Sequence, residues 1–175
     1  FVCEGGAIDG NGEGVLLVTE ECFLSDVQCR NPGFTKKDYL KAFGSSLGIE
    51  KLIWLKAGIV GDDTHGHVDD ITRFVSADTV VTVVEKDKND ANYSLLKDNI
   101  KRLKAAQLNI IGLPMPRPII FEGQRLPASY ANFLIANDLV LVPTFNDKND
   151  RIALNILAEL FPKREIIGIY ATDLV

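Results

Sequence analysis

Short apolar stretches rich in β-branched residues alternate with longer amphipathic stretches along the 175-residue chain. Apolar runs bounded by turn residues predict strands, and apolar spacings of three and four residues predict helices. Strands are predicted at 15–19, 52–55, 71–74, 79–84, 109–113, 131–135, 139–142 and 165–170. Helices are predicted at 36–46 and 91–106, and a third is predicted to end at 160. The order hairpin, helix, strand therefore occurs three times.

An internal repeat supports this interpretation. The tetrapeptide Asp-Lys-Asn-Asp occurs at 87–90 and again at 147–150, each time directly before a predicted helix, where Asp and Asn are favoured as N-caps. Three units, 1–58, 59–114 and 128–175, are therefore predicted to form one α/β domain of ββαβ repeats, arranged radially as in a propeller. The proline-rich segment 115–127 is expected to be a long connection or lid.

The glycine-rich segment at 4–14 admits two interpretations. Its Gly-x-Gly spacing resembles a nucleotide-binding loop, but such a loop should open a helix, and the residues that follow predict a strand. The pairs Asp9-Gly10 and Asn11-Gly12 are typical of hairpin turns. We therefore expect a hairpin here and not a phosphate loop.

Composition narrows the classes of function. The chain is 46% hydrophobic, enough for a sizeable core, and its net charge of −5 comes without a basic cluster, which argues against nucleic acid as the main partner. No apolar run approaches the ~20 residues of a membrane span. The three cysteines show neither metal-ligand pairing nor a disulfide framework, which predicts a cytoplasmic protein with reduced thiols. No cofactor is expected, and a homo-oligomer stays compatible with the sequence.

The segment from Gly61 to Asp70 concentrates the candidate chemistry. It holds both histidines of the chain and four carboxylates within ten residues. On a strand, residues two apart face the same side, so His65, His67 and Asp69 would form one polar row. Three interpretations follow: a polar loop, a metal site, or a general acid/base at His67 with a carboxylate at Asp69 that holds a cationic substrate.

The metal interpretation rests on the pattern Thr-His-x-His-x-Asp-His of metallo-β-lactamase-like hydrolases. In this chain Asp70 stands where the last histidine of that pattern should be, and no histidine follows His67. A catalytic zinc usually takes three protein ligands. His65, His67 and Asp69 would have to supply all of them in a metal-dependent hydrolase.

Several motifs together resemble the agmatine deiminase family, which includes bacterial peptidylarginine deiminase-like proteins. The resemblance implies a pentein fold, a five-bladed α/β propeller, of which the three units would be consecutive blades. The motifs span nearly the whole chain: Glu4-Gly5-Gly6 with Asp9-Gly10, Thr19-Glu20-Glu21-Cys22, Arg30-Asn31-Pro32-Gly33, Asp62-Asp63-Thr64 with Gly66-His67-Val68-Asp69, Ser129-Tyr130 with Asn132-Phe133, and Phe161-Pro162.

The resemblance also implies an activity: hydrolysis of a guanidinium group, as in agmatine, to a ureido group and ammonia through a covalent cysteine intermediate. By position His67 matches the acid/base histidine, Glu4 a carboxylate close to it, and Asp69 a guanidinium-binding carboxylate. The family's Gly-x-His-Cys nucleophile segment has no counterpart in these residues. The nucleophile is therefore expected outside this chain. A non-catalytic pentein that binds a macromolecule is the remaining alternative within the same fold.

Simpler roles are expected for the neighbouring residues. Arg30 is expected to be an ion-pair partner, because a pocket for a cation gains nothing from a second cation. Asp62 and Asp63 are expected to cap a turn or to hold the His67 segment in place. Trp54 is expected in the core, and His65 is given no role.

Overall fold

Three small sheets form the framework of the molecule. The computed structural model describes residues 1–175. The first sheet contains β1 (Asp9–Gly10), β2 (Val15–Thr19) and β3 (Lys51–Leu55); the second contains β4 (Thr72–Phe74), β5 (Thr79–Val84) and β6 (Asn109–Pro114). A two-stranded ribbon follows, made of β7 (Ile120–Phe121) and β8 (Gln124–Arg125). The third sheet contains β9 (Leu134–Ile135), β10 (Leu139–Thr144) and β11 (Glu165–Tyr170).

Four α-helices cross between strands. They are α1 (Glu20–Leu24), α2 (Lys36–Leu47), α3 (Asn92–Ala105) and α4 (Asp150–Leu160), and a 3₁₀ turn occupies Gly5–Ala7. None of these helices combines the length and the apolar composition that spanning a bilayer requires.

All three sheets share one topology. The first strand pairs antiparallel with the second, and the second pairs parallel with the third after a helical crossover. The middle strand is β2, β5 or β10, so each unit reads ββαβ. The predicted order of hairpin, helix and strand is present three times.

Two of the three middle strands, β2 and β5, are buried on both faces, whereas β10 alternates buried and half-buried residues. Four consecutive residues of β5, Val80 to Val83, are buried, as are the last four residues of β2. A strand with neighbours on both edges and a helix on its face reads as a continuous apolar run instead of an alternating one. This explains why the sequence alternates poorly there. A core of 25 buried residues unites the second and third units and reaches Leu17 and Leu55 of the first.

Helix α2 begins and ends where its sequence dictates. The hydroxyl of Thr35 accepts from the backbone N–H of Asp38, and the Asp38 carboxylate accepts from the backbone N–H of Thr35, which closes a capping box. Gly48 ends the helix in the left-handed conformation at φ 70°. The predicted helix and its stop are confirmed.

Helix α1 was not anticipated from the sequence. Thr19 caps it by accepting from the backbone N–H of Cys22, and the helix then buries Phe23 against α2. There Phe23 meets Tyr39 edge-on, with ring centroids 4.9 Å apart, and also packs on Phe43. Five residues are too few to show a helical period, so this turn depends on the Thr19 cap and on packing against the aromatic residues of α2.

Three local predictions need correction. Asp9-Gly10 is a strand, β1, because both residues pair with β2; only the following residues form the turn. The two repeats do not cap their helices alike. Asp90 accepts from the backbone N–H of Asn92, the first residue of α3, at 2.8 Å, whereas Asn149 makes no side-chain cap bond to α4. Both segments form tight turns in which Asp87 and Asp147 accept from backbone N–H groups two residues on. The segment 115–127 is not wholly irregular, because it contains the ribbon β7–β8.

Helix α3 anchors the chain that leads into the segment with the histidines. The amide of Asn99 accepts from the backbone N–H of Lys56 and donates to the carbonyl of Ala57, at 2.7 and 2.8 Å. Asn92 accepts from the N–H of Val60 at 2.8 Å. Both asparagines are fully buried, so they satisfy backbone groups that water cannot reach.

Candidate active site

The segment from Gly61 to Asp70 is a chain of turns and not a strand. His65 and Gly66 lie in the left-handed region, at φ 62° and 92°, which reverses the chain between the two histidines. The prediction of one polar row is therefore wrong. Side chains two residues apart share a face only in extended backbone, and two successive left-handed residues remove that relation.

The carboxylate of Asp62 holds this conformation. Its Oδ2 accepts from the backbone N–H groups of Gly66 and His67 at 2.8 and 3.0 Å, and its Oδ1 accepts from the N–H of Thr64 at 2.8 Å and from the Thr64 hydroxyl. The hydroxyl of Thr19 donates to the carbonyl of Gly66 at 2.6 Å. The expectation that Asp62 holds the His67 segment is confirmed. Asp63 is exposed, and its side chain takes no part in this arrangement.

His65 points away from the other candidates. Its Nε2 lies 3.1 Å from the Ser25 hydroxyl, and its Nδ1 lies 4.0 Å from a carboxylate oxygen of Glu21. His65, His67 and Asp69 are not among the groups whose ligand atoms come close enough to share an ion. The prediction of a metal-dependent hydrolase that uses those three residues as ligands is therefore wrong.

His67, Glu4 and Arg30 form a connected chain of polar groups. The Nε2 of His67 lies 2.7 Å from Oε2 of Glu4. Arg30 grips the same carboxylate with Nε at 3.0 Å from Oε1 and Nη2 at 2.9 Å from Oε2, and it also donates to the backbone carbonyl of Thr64. The hydrogen bond from Arg30 and then that from His67 lower the pKa of Glu4. Glu4 accepts from side chains and not from the backbone of its glycine-rich segment, and Arg30 is an ion-pair partner as expected.

Asp69 contributes an unsatisfied carboxylate. Its Oδ1 is buried and has no hydrogen-bond partner. Burial raises the pKa of Asp69, and the positive charges of Arg73 and His67 oppose that rise. A buried carboxylate oxygen without a donor is costly, so it marks a place where a ligand with N–H groups would be stabilised.

Gly6 lets these side chains approach one another. A Cβ at Gly6 would lie 2.6 Å from Nδ1 of His67 and 2.7 Å from Oδ2 of Asp69, too close for real atoms. The carbonyl of Gly6 also accepts from the backbone N–H of Asp69 at 3.2 Å. The glycine-rich segment and the histidine segment thus meet at this residue, and only a glycine fits between the imidazole and the carboxylate.

Sequence reasoning missed Cys22 as a neighbour of this site. Ligand atoms of Glu4, Cys22 and His67 lie within 4.8 Å of one another, although Cys22 is only 2% exposed. Burial raises the pKa of the Cys22 thiol to about 12, against a lowering by Arg30. A thiol that stays protonated at neutral pH is a poor nucleophile. No spacing rule relates Cys22 to residues 4 and 67, so the sequence offered no signal for this contact.

Asp70 lies next to the site but faces a different partner. Its Oδ1 accepts from the side-chain amide of Asn132 at 2.7 Å. Burial raises the pKa of Asp70 to about 7. Asp70 therefore belongs to the junction between the second and third units, and not to the group around His67.

The largest surface cavity, about 760 Å³, lies elsewhere. It is formed where β5 and β6 end and α4 begins, and its lining includes Asp87, Arg117 and Lys148 but none of Glu4, His67 and Asp69. Its charged groups are paired or exposed, as with Arg117, which bonds Asp147 at 2.7 Å and is 72% exposed. Size alone does not make it the reactive site; the unsatisfied carboxylate and the coupled imidazole lie around Gly6.

Comparison with known proteins agrees with this geometry. The family model described as Porphyromonas-type peptidyl-arginine deiminase matches residues 1–175. The chain belongs to this family. A candidate agmatine deiminase from Marinomonas sp. (strain MWYL1) is 39% identical over 100% of this chain and 53% of its own length. One from Latilactobacillus sakei subsp. sakei (strain 23K) is 38% identical over 100% and 54%.

Solved structures of deiminases superpose closely on the chain. An agmatine deiminase from C. jejuni with substrate bound aligns with a TM-score of 0.92 at 36% identity, covering 97% of this chain and 51% of that chain. The agmatine deiminase of Enterococcus faecalis aligns with a TM-score of 0.89 at 34% identity, covering 100% and 54%. A dimethylarginine dimethylaminohydrolase, only 13% identical, aligns with a TM-score of 0.51 and shows a shared fold alone.

The solved structures that match the chain are members of the pentein fold. Together with the family match they confirm the resemblance drawn from the motifs. The chain spans about half the length of the curated relatives it matches.

Proposed function

We propose that Glu4, His67 and Asp69 belong to the active site of a guanidine-modifying hydrolase that converts agmatine, or a similar guanidino compound, into a ureido product and ammonia. The nucleophilic cysteine comes from outside these 175 residues, since burial raises the pKa of both Cys22 and Cys3 and none of the three cysteines lies in a Gly-x-His-Cys segment. His67 transfers protons, Glu4 orients His67, and Asp69 holds the substrate cation.

The unpaired Oδ1 of Asp69 carries this proposal. A guanidinium presents N–H donors in a planar fork, which is the geometry that a carboxylate accepts best. A bound cation would satisfy the orphaned oxygen and would also favour the ionised carboxylate, which burial disfavours in the free protein. Both carboxylate oxygens of Glu4 are already in hydrogen-bond contact with side chains of the protein, Oε1 with Arg30 and Oε2 with His67.

The position of His67 suits proton transfer at the same cation. Its Nε2 is bonded to Glu4, while Nδ1 forms no hydrogen bond within the chain and lies on the side of Gly6 and Asp69. The free nitrogen therefore borders the place where the guanidinium is expected. Geometry of this kind, with one ring nitrogen held by a carboxylate, fixes the orientation of the imidazole for general acid–base catalysis.

The reaction then has two halves. The thiolate forms a bond to the guanidinium carbon, the C–N bond to one amino group breaks, and His67 gives its proton to the departing ammonia. Water next adds to the amidino-cysteine as His67 takes one of its protons, the C–S bond breaks, the second proton of that water passes to solvent, and the ureido product and the thiolate are released. Because guanidinium is a delocalised cation and a poor electrophile, fixing its orientation through Asp69 supplies much of the catalysis.

Arg30 serves the site through Glu4. By gripping both oxygens of that carboxylate and the carbonyl of Thr64, it joins the glycine-rich segment to the histidine segment. It also keeps the pKa of Glu4 low, so the partner of His67 stays ionised. Arg30 is a positioning residue and touches no substrate in this proposal.

The arrangement of the whole domain is part of the proposal. The three ββαβ units would be consecutive blades of a five-bladed propeller, with repeats at 1–58, 59–114 and 128–175. The common topology of the sheets and the fold shared with complete deiminases support this arrangement. Small-angle scattering of the full-length protein, compared with the profile of a closed propeller, tests it.

Two substitutions in the full-length protein test the roles directly. General acid–base catalysis contributes ~10²–10⁴-fold, so His67→Ala should slow ureido-product formation from agmatine by at least the lower figure. Removing a charge-assisted contact costs roughly 2–4 kcal/mol, so Asp69→Asn should weaken agmatine binding severely and leave the thermal melt unchanged or raised. Matched controls are His65→Ala and Asp63→Asn, in the same segment but outside the site.

The controls decide the interpretation. If a folded Asp69→Asn variant retained the activity of Asp63→Asn, the substrate-binding role would be wrong. If the unaltered full-length protein ignored guanidino compounds and bound a macromolecule instead, the non-catalytic pentein would replace the enzyme.

The partners and the compartment of the protein are proposed from its charge and its cysteines. A net charge of −5 without a basic cluster fits a small cationic substrate better than nucleic acid or a membrane surface. A cytoplasmic location fits three free cysteines, and self-association into a homo-oligomer is part of the same proposal. Cell fractionation tests the location, and light scattering of the full-length protein tests the oligomer.

A further inference from the structure

Three chemically different ligands converge at the floor of the site. Glu4 comes from the N-terminal segment, Cys22 from α1 and His67 from the turn segment, and their ligand atoms all lie within 4.8 Å of one another. A carboxylate, a thiolate and an imidazole are the three protein ligands that zinc takes, and no other group of three in the chain comes this close. We infer that Glu4, Cys22 and His67 bind a single Zn²⁺ ion.

The distances suit a small adjustment into a tetrahedral site. Zinc bonds of about 2.0–2.3 Å place neighbouring ligand atoms roughly 3.4–3.6 Å apart. The Nε2 of His67 and Oε2 of Glu4 now stand 2.7 Å apart and would open by less than 1 Å, whereas Cys22 would close by up to about 1.3 Å from the 4.8 Å limit on the group. Cys22 moves by side-chain rotation. A zinc ion on Oε2 of Glu4 replaces the contacts of that oxygen with His67 and with Nη2 of Arg30, and the bond from Nε of Arg30 to Oε1 stays in place.

The charges around the site also favour a divalent ion. Zinc displaces the thiol proton of Cys22 to solvent as the sulfur–metal bond forms, so its two positive charges meet two anionic ligands, Glu4 and the Cys22 thiolate. Asp69 and Asp62, on either side of His67, add negative charge, and Arg30 opposes it. The Glu4 side chain is 40% exposed, which gives the ion a route from solvent to the buried sulfur.

The ion would occupy the groups that the deiminase needs. A Zn²⁺ on His67 and Glu4 prevents His67 from giving or taking a proton, and its charge repels the guanidinium at Asp69. Zinc therefore acts as a reversible inhibitor that competes with substrate. This consequence rests on the proposed function, whereas the binding of the ion does not.

Metal binding is tested on the 175-residue chain without any assay of activity. Cobalt(II) reports a bound thiolate by a sulfur-to-cobalt charge-transfer absorption, and Zn²⁺ affinity is measured by competition with a chromophoric chelator. The Cys3→Ser/Cys29→Ser double variant removes the two exposed thiols and leaves Cys22 as the sole thiol. We expect one ion per chain, with the charge-transfer band and the zinc affinity unchanged in this double variant.

The variant Cys22→Ser removes the buried thiol and keeps the two exposed ones. It should remove the band and weaken Zn²⁺ by roughly tenfold or more, since changes outside the ligand set alone cost ~10–100-fold. Absence of the band in the double variant would overturn the assignment without any substitution in the core. Equal zinc affinity in folded Cys22→Ser and the unaltered chain would overturn it as well.

The inhibition is tested separately in the full-length protein. Zinc should raise the apparent KM for agmatine, and Cys22→Ser should relieve this inhibition by roughly tenfold or more while it leaves metal-free turnover in place. Equal inhibition of both proteins would overturn the inhibitory role. An inactive full-length protein would contradict the proposed function and leave the result of the cobalt and zinc titrations standing.

Discussion

His67 and Asp69 approach the Cα of Gly6 so closely that the substitution Gly6→Ala has a predictable effect. The new Cβ would lie 2.6 Å from Nδ1 of His67 and 2.7 Å from Oδ2 of Asp69, and ordinary contact begins at about 3.4 Å. The imidazole and the carboxylate must therefore withdraw by about 0.8 and 0.7 Å if the backbone stays in place. Gly6 is not among the residues with positive φ, so alanine adds no backbone strain and the effect is purely steric.

The size of the effect follows from that displacement. Misplacing a reacting group by ~1 Å can cost about 10²-fold in rate, so Gly6→Ala should lower kcat/KM for agmatine by roughly 10–100-fold. Overpacking typically costs ~1–3 kcal/mol of stability, part of which is offset by the smaller entropy of an unfolded chain that carries alanine. The protein should therefore fold, with a somewhat lower melting temperature.

Gly5→Ala is the matched control. Gly5 lies in the same 3₁₀ turn, and a Cβ there would meet nothing within 4 Å. The assay measures ureido-product formation from agmatine by the full-length protein, with thermal unfolding of each variant. If Gly6→Ala were as active as Gly5→Ala, the contact at Gly6 would not set the positions of His67 and Asp69, and our geometric argument would fail.

Two further predictions concern the stability of the 175-residue chain. Burial raises the pKa of Asp70 from 3.8 to about 7, so ionising it costs stability as pH rises between these values, and Asp70→Asn should stabilise by up to about 4 kcal/mol above pH 7 and least near pH 4. Denaturant melts across this range check it, with exposed Asp26→Asn as control; a pH-independent difference would refute it. Arg125→Met should destabilise by roughly 3 kcal/mol, because both side chains of the pair are little exposed (14% and 10%) and the Asp90 carboxylate loses both bonds from Arg125 at 2.8 Å, keeping only the bond from the backbone N–H of Asn92. Arg117→Met should cost under about 1 kcal/mol, because the Arg117 side chain is 72% exposed and Asp147 keeps its bonds from the backbone N–H groups of residue 117 and of Asn149; equal losses would contradict the role of the buried cation.

Interactions between residues close together in the chain allowed much of the fold to be predicted from the sequence. Helix α2 could be bounded within a residue because the capping box of Thr35 and Asp38 and the left-handed Gly48 are formed by residues close together in the chain. Strand β5 could be placed because its apolar, β-branched residues are buried in the sheet, and β11 because its β-branched and aromatic residues favour a strand although none of them is buried. Repetition of these signals in the same order then predicted three ββαβ units.

The candidate site was predicted only in part. His67 and Asp69 were chosen together on a strand spacing that the structure does not have, and they nevertheless lie together because both flank Gly6. The resemblance to deiminases, and not the spacing, was the sound basis for that choice. His65, which the same spacing placed in the row, points to Ser25 instead.

Only the tertiary structure could decide which distant residues meet. Glu4 and His67 are separated by 63 positions and Cys22 belongs to a third element, so their contact depends on how the first unit packs against the second. The chain conformation that permits it depends on one carboxylate, Asp62, which accepts from the backbone after His65, a residue whose left-handed φ is uncommon outside glycine. A pattern of polar and apolar residues records which faces are buried, but it carries no information on which buried polar group will be left without a partner. That property belongs to the packed structure, and at Asp69 it is the observation on which the proposed function rests.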